Sequence, residues 1–134
     1  LKEHGIFENA EKTDYMAHSE VVKLLLKSPV LLLPLNDTPN ILGIVPGKLF
    51  EYLAAKRPIF AIGNVEGDTA KIIADAHAGT MVGFKDEGHT KKRVLELYEQ
   101  FNKQILQIDS TSIEKYSRRS CAESYTTLLN EIVG

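Results

Sequence analysis

Short apolar runs alternate with amphipathic stretches along the chain. The continuous apolar runs Val30–Leu35 and Pro58–Ile62 are typical of strands that are buried on both faces. Thr80–Phe84 predicts a further strand, and Glu11–Met16 predicts a weaker one. Because helical stretches separate these runs, the pattern indicates β-α units around a parallel sheet. We therefore predict an α/β fold with a Rossmann-like, doubly wound parallel sheet of about four strands.

The stretches between the runs carry apolar residues at helical spacing. They predict helices from Ser19 to about Ser28, Pro46 to about Lys56, Thr69 to about His77, Lys91 to about Gln107 and Ile113 to about Val133. Ser19 and Asp68 are residue types that cap helices, and Gly79 lies where a helix stop is expected. One side of the long last helix collects apolar residues: Ile113, Tyr116, Cys121, Tyr125, Leu128, Leu129 and Ile132.

No repeat or linker divides the chain, so we expect one domain over residues 1–134. The opening residues Leu1–Gly5 are typical of the last turn of a helix closed by glycine, and the chain does not begin with Met. We interpret the chain as an N-terminally truncated, partial domain. The sheet edge toward its start would then lack a neighbour, which favours self-association of the fragment.

Composition excludes several classes of function. The net charge of −2 and the pI near 6.1 argue against a nucleic-acid partner. Cys121 is the one cysteine, so neither an internal disulfide nor a cysteine metal site can form, and a reducing cytoplasm fits best. The histidines have no partners at metal-ligand spacing, and we predict no metal site. The longest apolar stretch, Leu24–Leu35, is interrupted and too short to span a bilayer.

The segment Gly43–Ile59, with the sequence GIVPGKLFEYLAAKRPI, carries the candidate chemistry. It follows the Val30–Leu35 strand, and ligands of open α/β sheets bind beyond the carboxyl ends of strands. Pro46 favours a helix start, whose unpaired N–H groups suit a phosphate. Gly43 and Gly47 would allow the backbone to approach a ligand closely.

On the predicted helix, Lys48, Glu51 and Tyr52 share one face. Lys48 could pair with a phosphate, and Glu51 could accept two hydrogen bonds from a ribose diol. The alternative is a simple surface pair of Lys48 and Glu51, worth about 0.2–0.5 kcal/mol. In that interpretation Gly43, Pro46 and Gly47 are only turn residues.

Three segments resemble the C-terminal domain of family-4, or group 1, GT-B glycosyltransferases: YMAHSEVVKLLLKSPVLLLPLND, PGKLFEYLAAKRPIFAIG and GDTAKIIADAHAGTMV. The resemblance runs from about Gly5 to Gly134, and PGKLFEYLAAKRPI is its most specific part. It implies two Rossmann-like domains facing a cleft, with the nucleotide-sugar held by the C-terminal one and the acceptor by a domain missing here. It also implies catalysis that retains the anomeric configuration, without a metal ion or other cofactor.

The resemblance assigns roles to individual residues. The family usually carries two glutamates with seven residues between them, and Glu51 falls on the second, which binds the nucleotide ribose. The first falls on Gly43, so the mode of sugar binding differs here. Lys48 stands where many members have proline, a trait shared with some bacterial members. His18 falls near the nucleotide base, although a histidine at a helix start is more often a surface or capping residue.

The basic pair that grips the diphosphate in this family would lie before Leu1, so we assign no catalytic residue and expect the fragment alone to be inactive. The resemblance implies transfer of a sugar from a UDP- or GDP-linked donor to a saccharide or lipid-linked acceptor in surface polysaccharide synthesis. A cytoplasmic location, at the inner face of the membrane, and a peripheral membrane contact follow by analogy. The alternatives are a nucleotide-sugar epimerase of the same shape and a non-catalytic nucleotide-binding or assembly module.

Overall fold

The structure, a computed structural model, describes residues 5, 7–109 and 111–133. Three strands, β1 (Leu31–Pro34), β2 (Ile59–Ile62) and β3 (Gly79–Val82), form one parallel sheet in the order β1-β2-β3. The predicted α/β class and parallel sheet are confirmed. The prediction of a fourth strand at Glu11–Met16 is wrong, because this segment has no regular secondary structure. Charged side chains in that segment oppose its burial in a sheet. The predicted helical turn at the start of the chain lies outside the described residues, apart from Gly5.

Five α-helices accompany the sheet in the described part of the chain. They are α1 (His18–Lys27), α2 (Lys48–Ala55), α3 (Asp68–Asp75), α4 (Glu87–Asn102) and α5 (Arg118–Val133). Short 3₁₀ turns lie at Phe7–Asn9, Ile41–Gly43 and Thr111–Tyr116. The predicted last helix is therefore divided into a 3₁₀ turn and α5. None of the described helices is long and apolar enough to cross a membrane.

The helix ends differ from the predicted caps. α1 follows Ala17 without a side-chain cap, and Ser19 lies inside the helix. Asp68 is the first residue of α3, and its carboxylate pairs with Lys71 at 2.9 Å instead of capping. The left-handed residue after α3 is His77, with φ of 49°, so Gly79 begins β3 and is not the helix stop. These errors share a cause. A residue of a capping type caps a helix only if the helical backbone begins or ends at that residue.

The sheet has helices on both faces. On one face, β1 and β2 pack against α2, α3 and the Thr111–Tyr116 turn through Leu33, Leu49, Leu53, Ile59, Ala61, Ile73, Ala76, Ala78 and Ile113. On the other face, Leu97 of α4 packs against Phe60 and Val82. This arrangement is compatible with a Rossmann-like fold.

β1 is less buried than predicted. Leu31 and Leu33 are buried, but Leu32 is 54% exposed and Pro34 is also exposed. α1 contributes no buried residue, so it does not cover this face of β1. The expectation of a strand buried on both faces holds for β2 but is wrong for β1.

The outer edge of β1 offers few free backbone groups. The N–H groups of Leu31 and Leu35 donate to Pro58 and Ile62 of the β2 side at 2.9 and 2.8 Å, so the alternate residues face away from β2. These outward-facing residues are Leu32 and Pro34. Pro34 has no N–H group, and the Leu32 carbonyl already accepts a hydrogen bond from the Tyr52 hydroxyl at 3.4 Å. This edge is therefore a poorer site for strand pairing than the sequence suggested.

Candidate functional site

The loop between β1 and α2 is held firmly in place. Ile41 is buried, and its N–H donates to the Thr38 carbonyl at 3.0 Å. The buried Thr69 of α3 donates from its hydroxyl to the Ile44 carbonyl at 2.6 Å. These contacts fix the loop beyond the carboxyl end of β1, where ligands of open α/β sheets bind.

Gly43 and Gly47 face open space. A Cβ atom added at either position would meet no atom within 4 Å, and both residues are exposed. Gly47 has φ of −56° and ψ of −35°, a helical conformation that any residue adopts. Packing inside the chain therefore does not require glycine at these positions, and the space before them is free for a ligand.

The start of α2 offers fewer donors than a complete helix N-terminus would. The N–H groups of Leu49 and Phe50 donate to the carbonyls of Pro46 and Gly47 at 3.0 and 3.2 Å. Among the described residues, this leaves the N–H groups of Gly47 and Lys48 without a backbone acceptor. The half-buried Pro46 has no N–H group to donate, so its role is to set the backbone conformation before the helix. Binding of an anion would therefore depend strongly on the Lys48 side chain.

Glu51 points away from the core. Leu49 and Leu53 of the same helix are buried, whereas Lys48 and Glu51 are exposed. Within the described residues, Lys48 and Glu51 form no salt bridge with each other, so the predicted surface ion pair is not observed. The pKa of Tyr52 is raised by burial and then by the charge of Glu51. Because Glu51 is exposed and forms no salt bridge within the described residues, its carboxylate remains available to accept hydrogen bonds.

A groove of about 870 Å³ runs beside α2. One wall is the outer face of α2, with Gly47, Phe50, Glu51 and Ala54. The opposite wall is the C-terminal segment, with residues that include Ile113, Tyr116, Arg118 and Cys121. The structure thus brings Gly47 and Glu51 together on one wall, while Gly43, Pro46 and Lys48 lie outside the lining.

Polar contacts hold the second wall of this groove against α2 and α3. The Tyr116 hydroxyl donates to Asp75 at 2.6 Å, Lys115 pairs with the same carboxylate, and Lys56 pairs with Glu114 at 3.7 Å. Lys115 and then Tyr116 hold the pKa of Asp75 below its usual value. Burial, followed by the contact with Asp75, raises the pKa of Tyr116 to about 12. Sequence reasoning missed this cluster and placed Tyr116 only on an apolar helix face.

His18 is the first residue of α1 and is exposed. No hydrogen bond or ion pair described in the structure joins it to the loop before α2. The structure therefore gives His18 the character of a surface residue at a helix start. It adds no observation that links His18 to Glu51.

No group of three or more His, Cys, Asp or Glu side chains within the described ranges is arranged to hold a metal ion. Comparisons of the chain with protein-family models, curated proteins and solved structures found no significant match. The class that the structure itself defines is an α/β protein with a three-stranded parallel sheet. The features of the structure that bear on function are the loop before α2, the start of α2 and the groove beside it.

Proposed function

We propose that this chain is the donor-binding domain of a retaining GT-B glycosyltransferase similar to the group 1 family. The enzyme would move a sugar from a UDP- or GDP-linked donor to a saccharide or lipid-linked acceptor held by a second domain, and it would act in surface polysaccharide synthesis. One observation carries the proposal. The exposed Glu51 lies one turn into α2, in the helix that follows a parallel strand, and it lines the same groove as Gly47, whose Cα faces open space. The doubly wound, Rossmann-like description of the fold and a cytoplasmic location at the inner face of the membrane belong to the same proposal.

The chemistry divides along α2. The N–H groups of Gly47 and Lys48 and the Lys48 ammonium group face the diphosphate, because they are the positive groups at the helix start. Glu51 lies about 4.5 Å further along the helix axis, at 1.5 Å per residue. Its carboxylate accepts hydrogen bonds from both hydroxyls of the ribose, and charged acceptors make the stronger hydrogen bonds.

Gly43 shapes the end of the site that would face the donor sugar. No side chain occupies the space above it, and its neighbours Leu42 and Ile44 expose apolar surface. The carboxylate that the family resemblance places here is absent, so contacts to the sugar depend on other groups. Because α2 also offers only two free N–H groups, we expect this chain alone to bind a nucleotide weakly, with a Kd of about 1 mM.

An NMR titration of the chain with UDP, GDP and inorganic pyrophosphate tests the proposal. Amide signals of Gly43, Gly47, Lys48 and Glu51 should shift with the nucleotides. The variant Glu51→Gln should weaken nucleotide binding several-fold but leave pyrophosphate binding unchanged, because it alters only the ribose contact. Glu20→Gln is the matched control, since Glu20 is also an exposed glutamate in the first turn of a helix.

Two outcomes would contradict the donor site. One is a set of shifts that map away from the loop and α2, and the other is nucleotide binding that is indifferent to Glu51→Gln. In the complete transferase, Glu51→Ala separates the enzyme from a non-catalytic assembly module. An enzyme should lose sugar transfer, whereas an assembly module should lose only nucleotide binding.

A further inference from the structure

α5 makes almost no use of its apolar side chains within its own chain. None of its residues is buried. Five large apolar side chains of the helix are between 43% and 85% exposed: Tyr125, Leu128, Leu129, Ile132 and Val133. We define the α5 seam as the five residues Cys121, Tyr125, Leu128, Leu129 and Ile132. The steps of four, three and four residues from Cys121 through Tyr125 and Leu128 to Ile132 match the spacing of paired helices. A seam of this kind is typical of a helix that packs against another helix.

We propose that the α5 seam joins two copies of this chain as an antiparallel helix pair. The charges of α5 favour this partner. Arg118 and Arg119 lie at the N-terminus of α5, and its first turn has no acidic residue, so their charges oppose the dipole of their own helix. Arg119 pairs with Glu123 one turn later at 3.0 Å, so Arg118 is the arginine that a partner would compensate. In an antiparallel pair Arg118 lies beside the C-terminal carbonyls of the second copy. A parallel pair would place the arginines of both copies together.

The seam also fixes a register. With a two-fold axis at Tyr125, the Tyr125 side chains of the two copies pack against each other, and each Cys121 faces Leu129 of the second copy. Such a self-complementary surface is the usual form of a two-fold interface. Thr127 lies on the opposite side of α5, and its hydroxyl donates to the Glu123 carbonyl of the same helix at 3.0 Å.

The available area predicts a weak dimer. Of the five residues of the α5 seam, only Tyr125 is aromatic, the residue class that buries about 150–250 Å². The other four are smaller, so the pair can bury at most on the order of 1,000 Å². Specific interfaces usually bury about 1,200–2,000 Å² in total, so α5 lies near the lower limit. We expect a dissociation constant of about 10–100 μM, within the range that micromolar contacts span. The edge of β1 is a weaker candidate, because Pro34 and the Tyr52 hydroxyl already limit its free backbone groups.

Sedimentation equilibrium of the chain between about 10 μM and 1 mM measures this association. Leu128→Glu should weaken dimer formation at least tenfold, because it places a charge within the seam. Leu24→Glu is the matched control, since Leu24 is 46% exposed on α1, and it should leave the dimer unchanged. A chain that stays monomeric at 1 mM would overturn the proposal, as would equal effects of the two substitutions. Circular dichroism establishes that both variants fold.

A cysteine cross-link tests the register. In a Cys121→Ser background, Tyr125→Cys should give a disulfide-linked dimer on mild oxidation, because the two-fold axis brings the two thiols together. Thr127→Cys, on the opposite side of α5, should stay monomeric. If both variants cross-link equally, or if only Thr127→Cys does, the antiparallel pairing is refuted. This inference does not rest on the nucleotide site, and the Glu51→Gln variant should dimerise like the original chain.

Discussion

Substitution of Gly79 by alanine would show how strictly the sheet depends on close approach of its strands. Gly79 opens β3 opposite Ile59 of β2, with φ of +157°. A Cβ atom at this position would lie 1.9 Å from the Ile59 carbonyl oxygen and 2.7 Å from its N and C atoms. Because all three are backbone atoms, no side-chain rotation relieves the clash, and one strand must move.

The cost follows from two effects. A residue with a side chain held at this φ costs about 1–3 kcal/mol, and forcing extra volume into a packed core costs about another 1–3 kcal/mol. Ala61 and Ala78, which flank this contact, are fully buried, so the strain has little room to relax. We expect Gly79→Ala to lower the free energy of unfolding by about 2–6 kcal/mol, a large share of the 5–15 kcal/mol typical of folded proteins.

Urea unfolding followed by circular dichroism measures this loss, with Gly47→Ala as the matched control. Gly47 already has helical angles and open space around it, so the same added methyl group should raise the free energy of unfolding by about 0.4–1 kcal/mol. A loss below about 1 kcal/mol for Gly79→Ala, or a comparable loss for Gly47→Ala, would refute the reasoning. Gly47→Ala should also weaken nucleotide binding, because its methyl group occupies the proposed site.

Two further predictions concern the face of the sheet that α2 covers. Leu53→Ala should cost about 2–5 kcal/mol in urea unfolding because Leu53 is buried, whereas Leu24→Ala on the exposed face of α1 should cost far less; similar losses would contradict the assigned core. The pKa of Tyr116 is raised to about 12, so its protonated hydroxyl contributes to the stability of the fold. This contribution is complete below the usual tyrosine pKa of about 10 and is lost as the pH rises toward 12. Tyr116→Phe should therefore remove the tyrosine ionisation near pH 12 from an ultraviolet titration. Asp75→Asn should move that ionisation to lower pH, and an unchanged titration in either variant would show that the contact is absent.

The sheet could be predicted from sequence because its strands are short apolar runs separated by helical patterns. The pattern located β2 and β3 within one or two residues. It placed Leu49, Phe50 and Leu53 of α2 toward the sheet, which is right for Leu49 and Leu53 but wrong for Phe50, which is 42% exposed and lines the groove. It failed for the segment 11–16, where alternation of apolar and polar residues was too weak to outweigh the charges. It also failed at helix starts, because the actual cap of α4 is Asp86, which accepts the His89 N–H at 3.0 Å.

The exposure of Glu51 follows from the same periodicity. Once Leu49 and Leu53 face the sheet, a residue between them on the other side of the helix must face outward. The groove could not be predicted, since its second wall comes from residues some 60 positions later in the chain. Its contacts, such as that between Tyr116 and Asp75, join residues 41 positions apart. No local spacing encodes such a pair, and only the packed structure reveals it.

The groove would couple the two proposed activities, nucleotide binding at α2 and association through α5. Glu51 lies on one wall, and Cys121, the first residue of the α5 seam, lies on the other. If a nucleotide at Glu51 changes the affinity between two copies by some factor, association must change nucleotide affinity by the same factor. Arg118 also lines this groove, and the proposed dimer sets it beside the C-terminal end of the second copy. A second copy seated on Cys121 and Arg118 would therefore narrow the groove that Glu51 lines, so we expect the two proposed activities to oppose each other.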